Sequence, residues 1–520
     1  MHAARHALAR ALAPASLGLA TFSTSRCEST HEAAGHSSYN PASTGPGVVC
    51  APTSRLAART LRAVPELEKD RFYEAPSAMR NGHVHTCVQT GLRMAPVAKY
   101  HRALLETPDG GTVGVDLLLS VGPGVAPRPF LPFMQRRAAR IASTSEGAAA
   151  ELPAEVVAAV QADRKPFLLL ASGLGGSSSE SYVRSMAAAA TARGYAVGVV
   201  NMRGTGDVPL TSPRFFSARH GSVDDMRLAV AYVREVRVRA CRPPPRACRG
   251  EKARPAPPQR TSAHLLPPSQ RLQHFDPAGK VVVCGWSNSG SVVGHLMADQ
   301  GEGLVASTPA ARVDAAVAMA APLDGLATVR GLQGFAGRWL YSPVIAMSLL
   351  RQVAKHRELF DRTDGLVPMW GKEGYVRIDT DALIRCWRKT VPPTLGCFDE
   401  ELTRKTFGFD SLLAYYAHAD SGSRLKHVTS PILVVSSIDD PIAKGSEGDA
   451  DTNARANENV VLVRTAHGGH LGWADKLEAP DAALAKGQLL KGRPLWVERV
   501  VLGFLDQAVL EPPPPPPPAR

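Results

Sequence analysis

The feature that most restricts how this 520-residue chain can fold is a unit that recurs along it: a short unbroken apolar run, then small residues, then an amphipathic stretch. "FLLLA" at 167–171, "AVGVVN" at 196–201, "VVVC" at 281–284, "AAVAMAAP" at 315–322, "PILVVSSIDDP" at 431–441 and "NVVLV" at 459–463 are such runs. None alternates polar with apolar residues, the pattern of a strand covered on both faces. Between them lie helical patterns. One is Tyr182–Ala192, closed by Gly194; another is "SVDDMRLAVAYVREV", for which Ser222 is a candidate N-cap. Strands alternating with helices require crossover connections, so the expected class is α/β, with a mostly parallel central sheet flanked by helices.

Other segments flank or interrupt this pattern. Residues 1–60 read as a targeting leader followed by a polar, disordered linker, leaving 61–510 as the folded domain. The leader has Arg5, Arg10 and Arg26, abundant Ala and Ser, and no acid before Glu28, a composition that points to import into a chloroplast or mitochondrion. A secretory or membrane signal is the alternative reading, although its apolar stretch is short for a span. "VAKYHRALLETPDGGTVGVDLLL" predicts two strands joined by a turn at Pro108–Gly111. Residues 121–164 and 241–280 read as disordered insertions, and 323–428 as a largely helical cap. The end, "EPPPPPPPAR" (511–520), is a polyproline tail.

Charge and cysteine content narrow the function classes. The formal charge is +13, but residues 241–280 alone hold eight Arg and Lys against Glu251 and Asp276. Nearly half of the excess thus sits in one Pro-rich stretch whose one aromatic is Phe275, and no nucleic-acid partner is expected. The eight cysteines form no C-x-x-C pair, so no metal site is expected from them. His83 and His85 in "NGHVH" lack acidic neighbours and read as structural.

The chemistry-bearing residues cluster after the apolar runs. In "KVVVCGWSNSGSVVGHLMA" Ser287 directly follows a strand pattern and precedes a helix pattern, the context of a nucleophile elbow. Gly285 supplies the small residue two positions before it, whereas Ser289 stands where glycine is usual. The N–H of Asn288, at the helix start, is a candidate oxyanion donor. A second donor is expected from "LLLASGLGGSSS", with Leu174 the candidate; no Lys-Ser or Lys-Thr follows, which excludes a phosphate loop. An acid is expected in "SSIDDP", at Asp439 or Asp440, with Asp440 favoured because it falls further into the loop. A base is expected in "AHGGHLGW": His470, with His467 in reserve. These residues in this order suit a Ser–Asp–His hydrolase that needs no cofactor or metal.

"NGHVHTCV", "LLETPDGG", "GLGGSSSESYVRSMAAAATARGYAVGVVNMRGTG", "PRFFSA", "FDEELTRKTFGFDSLLAYY", "IDDP" and "GGHLGW" together resemble the α/β-hydrolase-domain esterase and phospholipase family, which includes the plant embryogenesis-associated hydrolases. The likeness runs over roughly residues 70–505. It implies an α/β-hydrolase fold with a helical cap, and a carboxylic ester hydrolase acting on lipid acyl esters through Ser287, Asp440 and His470. The cap would form the acyl cleft, with Trp339, Leu340, Tyr341, Val344 and Met347–Leu350 as candidate lining. The chain departs from the family at Ser172, where His is usual, and at Ser289. The expected partner is a small-molecule or lipid ester, with peripheral membrane contact as a further expectation. A non-catalytic lipid- or partner-binding module and an acyltransferase on the same triad are the alternative functions.

Overall fold

Six apolar strands stack side by side because each is covered on both faces, and their order sets the site. The structure, a computed structural model, describes residues 45–92, 95–125, 139–147, 152–161, 166–215, 217–240, 279–304, 309–389, 393–475 and 494–510. Its strands in chain order are β1 (Gly47–Val49), β2 (Ala95–Glu106), β3 (Thr112–Val125), β4 (Ala139–Glu146), β5 (Phe167–Ala171), β6 (Ala196–Asn201), β7 (Val281–Trp286), β8 (Ala315–Met319), β9 (Leu366–Pro368), β10 (Tyr375–Arg377), β11 (Ile432–Ser437) and β12 (Val460–Thr465). Ten form one sheet in the order β1-β12-β11-β8-β7-β5-β6-β3-β2-β4, while β9 and β10 make a separate hairpin in the cap. The run from β12 to β6 is parallel throughout.

Successive residues of each central strand serve opposite faces, as the pleat requires. Phe167, Leu169 and Ala171 join one buried cluster; Leu168 and Leu170 join the other. The first cluster is covered by the helices Ser222–Ala240 and Asn288–Gly301, through Met226, Val230, Val292 and Leu296. The second is covered by Ser181–Ala192 and Trp496–Ala508, through Met186, Val500 and Phe504. From β5 the chain leaves towards β6 over one face, and from β7 it leaves towards β8 over the other. The carboxyl ends of β5 and β7 therefore flank a topological switch point, where an open α/β sheet leaves a crevice.

Several expected boundaries move. The fold begins before residue 61: β1 pairs antiparallel with β12, and Leu56 and Ala57 of the helix Arg55–Ala63 enter the second cluster. Ser54 caps that helix, its Oγ accepting the Ala57 N–H at 3.1 Å. The expected insertion 121–164 is partly regular, for β4 pairs with β2 and shields its free edge, and Val156 and Val160 of the helix Ala154–Gln161 are buried. Pro- and Arg-rich composition hid these short elements. Ser222 is the first helical residue rather than an N-cap, and its Oγ accepts the Ser217 N–H. The cap between β8 and β11 is largely helical, as in Gly325–Gln333, Ser342–Lys355 and Leu412–His418. Leader residues 1–44, the basic stretch 241–278 and the polyproline tail 511–520 lie outside the described residues. Among the described residues no helix is long and apolar enough to cross a membrane.

Candidate active site

Strand β7 ends at Trp286 and the helix Asn288–Gly301 starts two residues later, so the whole reversal falls on Ser287. Its φ is 53° and ψ −124°, a conformation that costs a residue other than glycine about 1–3 kcal/mol. Two hydrogen bonds hold it there: the Ser287 N–H donates to the Met319 carbonyl and the Ser287 carbonyl accepts from the Gly290 N–H, both at 2.8 Å. Gly285 is obligatory, because a Cβ there would lie 2.3 Å from the Ser289 carbonyl oxygen. Ser289, the departure from the usual glycine, is buried, and its Oγ donates to the carbonyl of Ser172 at 2.5 Å. Ser289 and Ser172 thus bond to each other and tie the turn after β7 to the loop after β5.

His470 and Asp440 complete a line to Ser287. The Asp440 Oδ1 accepts the Ile442 and Ala443 N–H groups at 2.7 and 2.8 Å, which aims Oδ2 at the His470 Nδ1, 2.9 Å away. The His470 Nε2 lies 3.0 Å from the Ser287 Oγ. A ring proton on Nδ1 donates to the carboxylate and leaves Nε2 to accept the serine hydroxyl. Asp440 and His470 are buried, and Ser287 at the end of the line is half-buried.

The reserve residues sit alongside and do a different job. The His467 Nδ1 is 3.3 Å from the Asp439 Oδ2, while the Asp439 Oδ1 accepts the Gly469 N–H at 2.8 Å. This second pair braces the loop carrying His470, which turns through Gly468 (φ 153°) and Gly469 (φ 54°). A further brace escaped the sequence analysis. The His470 N–H donates to the Thr86 Oγ1 at 2.8 Å, and that hydroxyl donates to the Gly82 carbonyl at 2.7 Å. "NGHVHT" was the available signal, but nothing in it indicates a contact 384 residues away.

His83 and His85 take separate partners. The His83 Nδ1 is 2.8 Å from the Tyr341 hydroxyl, and the buried His85 accepts the Ala474 N–H on Nε2 at 3.1 Å. Burial lowers the His85 pKa, which keeps that nitrogen an acceptor. Among the described residues no group of three His, Cys, Asp or Glu could hold a metal ion.

Leu174 and Asn288, the latter next to Ser287 in the chain, both line a cavity of about 90 Å³, whose lining does not include Ser287 itself. The Gly173 N–H already donates to the Tyr182 hydroxyl at 3.0 Å, which leaves Leu174 as the next donor in that loop. Asn288, as the first residue of its helix, has no earlier helical carbonyl to bond. Leu332, Leu349, Phe398 and Tyr415 make the walls mainly apolar. Among the lining residues Asp399 is the charged one: Thr403 and Tyr416 donate to its oxygens at 2.8 and 2.9 Å, and burial pushes its pKa up to about 6. Of the cap cluster expected to line the cleft, only Leu349 lines this cavity. Trp339, Leu340 and Val344 are exposed because Tyr341 and Ser342 take the inward side of the run.

No family model matches the sequence. The embryogenesis-associated protein EMB8 of Picea glauca is 27% identical over 429 residues, which covers 82% of this chain and 70% of that protein. The phospholipase ABHD3 of Homo sapiens is 24% identical over 316 residues, which covers 61% of this chain and 60% of the phospholipase, so the chain spans less than two thirds of that protein's length. Among solved structures, the Pyrococcus furiosus esterase Pf2001 matches with a TM-score of 0.37 at 10% identity, covering 79% of this chain and 93% of that one.

Proposed function

We propose that this chain is an abhydrolase-domain protein of the α/β-hydrolases and a serine esterase that cleaves carboxylic esters, lipid acyl esters foremost. The observation that carries the reading is the hydrogen-bonded line Asp440–His470–Ser287, with spacings of 2.9 and 3.0 Å, ending at a serine whose chain neighbour Asn288 lines, with Leu174, a mainly apolar cavity.

In this mechanism the Ser287 Oγ adds to the ester carbonyl carbon while the His470 Nε2 takes its proton. The carbonyl π pair moves onto oxygen, where the N–H groups of Leu174 and Asn288 receive the charge. The C–O bond to the alcohol then breaks, His470 returns its proton to the leaving oxygen, and the acyl group stays on Ser287. A water molecule next gives one proton to His470 and adds to the acyl carbon. The Ser287 oxygen leaves, recovers that proton, and the carboxylic acid is released. Asp440 remains ionised throughout and stabilises the imidazolium. The apolar walls and the phospholipase among the relatives support a lipid acyl chain as the group held in the cavity.

The test is fluorophosphonate labelling of the full-length protein beside Ser287→Ala, with circular dichroism on both. Labelling confined to the parent protein supports the reading. A folded parent that takes no label overturns it, and lipid binding that persists in both proteins would then identify a binding module. Acyl transfer to an added alcohol in place of acid release would identify an acyltransferase.

A further inference from the structure

Between Asp324 and Glu358 the cap contains no acidic residue, yet it carries Arg330, Arg338, Arg351, Lys355 and Arg357. This stretch includes an unbroken helical run from Phe335 to Lys355, with one π-helical turn at Gly337–Tyr341. Its inward side is fastened down. The Tyr341 hydroxyl bonds the His83 ring, Ser342 accepts the Leu395 N–H at 2.8 Å, and Leu349 walls the cavity.

The outward side is apolar. Phe335 is 85% exposed, Trp339 57%, Leu340 43% and Val344 56%. A single exposed leucine needs no explanation, but four large apolar side chains within ten residues form a patch. Arg330, Arg338, Arg351 and Lys355 are exposed on the same stretch, and among the described residues none of them forms an ion pair. Arg357 differs, being held by Asp361 and Asp381. Apolar and aromatic side chains interspersed with unpaired cations, with no acid among them, are complementary to one kind of surface: apolar chains beneath anionic headgroups.

We propose that the outward face of residues 330–355 docks the protein on an anionic lipid surface. Residues 330–355 include Leu332 and Leu349, both cavity walls, so docking there brings the cavity to the membrane from which an ester would come. Phe335 and Trp339 enter the interface, and Arg330 and Arg338 meet the headgroups.

Docking goes beyond the esterase reading and is measured without turnover, on full-length Ser287→Ala protein. It is sedimented with vesicles of phosphatidylcholine alone and with added phosphatidylserine, at low and high salt. The expected result is binding that favours the phosphatidylserine vesicles and weakens with salt. Phe335→Ser with Trp339→Ser lowers the partition by about tenfold or more. Arg330→Glu with Arg338→Glu removes the preference for phosphatidylserine. Because residues 242–280 stay unchanged in every variant, such losses report on this face alone. Urea unfolding of each variant verifies the fold, and the Phe335/Trp339 changes in an otherwise unaltered chain leave hydrolysis of a water-soluble ester unchanged. Three results overturn the proposal: no vesicle binding by the starting protein, undiminished binding by either double variant, or a patch that instead holds two copies together, seen as a dimer dispersed by Phe335→Ser/Trp339→Ser without any vesicle binding.

Discussion

Replacing Ser289 by alanine separates two views of a residue that stands where a nucleophile elbow usually has glycine. In one view its side chain merely crowds the turn after β7. In the other its hydroxyl is a strut, since it donates to the Ser172 carbonyl at 2.5 Å in a buried setting. Alanine keeps the Cβ and removes only the hydroxyl, so the Ser172 carbonyl loses that donor. Leaving a buried polar group unpaired costs about 1–3 kcal/mol, and the expected loss of stability in urea is about 1–2 kcal/mol. The kinetic effect follows from position. Ser172 lies two residues before Leu174, so in the proposed mechanism a slackened carbonyl lets the Leu174 N–H drift from the oxyanion. Losing such a donor outright costs about 2.7–4 kcal/mol of barrier, and a loosened one costs less. We therefore expect kcat on a soluble ester to fall by about tenfold with KM nearly unchanged, since the bond matters most when the oxyanion forms. Ser289→Gly should behave like the alanine variant. Parental stability and kcat in Ser289→Ala would refute the strut, and faster turnover in Ser289→Gly would show that the serine was an obstruction.

The remaining expectations concern the two acid–histidine pairs, a distant brace, buried protonation and backbone strain. Asp440→Asn should lower kcat by about 10³–10⁴-fold, whereas Asp439→Asn, which disturbs only the loop brace, should cost less than about tenfold; steady-state kinetics on both variants distinguishes them. Thr86→Val should lower kcat by about tenfold with little change in KM, and Thr86→Ser should recover most of the loss by keeping the acceptor for the His470 N–H. His418 has its pKa lowered to about 4, first by burial and then by His220, Arg219 and Arg424. The folded form therefore binds its proton less readily than the unfolded chain does, so this contribution is complete above about pH 6.5 and is lost as the pH falls towards 4. Relative to His418→Gln, the parent should lose about 2 kcal/mol across that window in urea titrations, a figure reduced for partial exposure. Ser287→Gly should abolish hydrolysis yet raise stability by about 1 kcal/mol, because glycine accepts a φ of 53° without strain.

How much of this was legible in the chain can be argued strand by strand. The runs at 167–171, 196–201 and 281–284 carry their own evidence, because a strand covered on both faces must be apolar throughout; the structure extends only the last, to Trp286. β1 has only three residues, and β4, of eight, is mostly exposed in a polar, arginine-rich setting; both lie at the sheet edges, so their sequences contain no comparable signal. They are strands because β12 and β2 present free edges to them. The cap shows the same limit. Apolar content alone could not tell that Leu349 faces the cavity while Trp339 and Val344 face outward.

What the sequence determined by itself is local: the parallel sheet, the small-residue turn around Ser287, and the order serine, acid, histidine along the chain. Periodicity and turn chemistry act over a few residues, and they survive being read in one dimension. What only the tertiary structure decided is pairing. One loop carries two adjacent acids and the next carries two histidines, and only the folded loops send Asp440 to His470 and Asp439 to His467. Thr86 reaches His470 across 384 residues, and Ser289 reaches Ser172 across 117. Such contacts follow from the order in which strands pack at the switch point. That order is set by burying both faces of the sheet at once, which no single segment encodes.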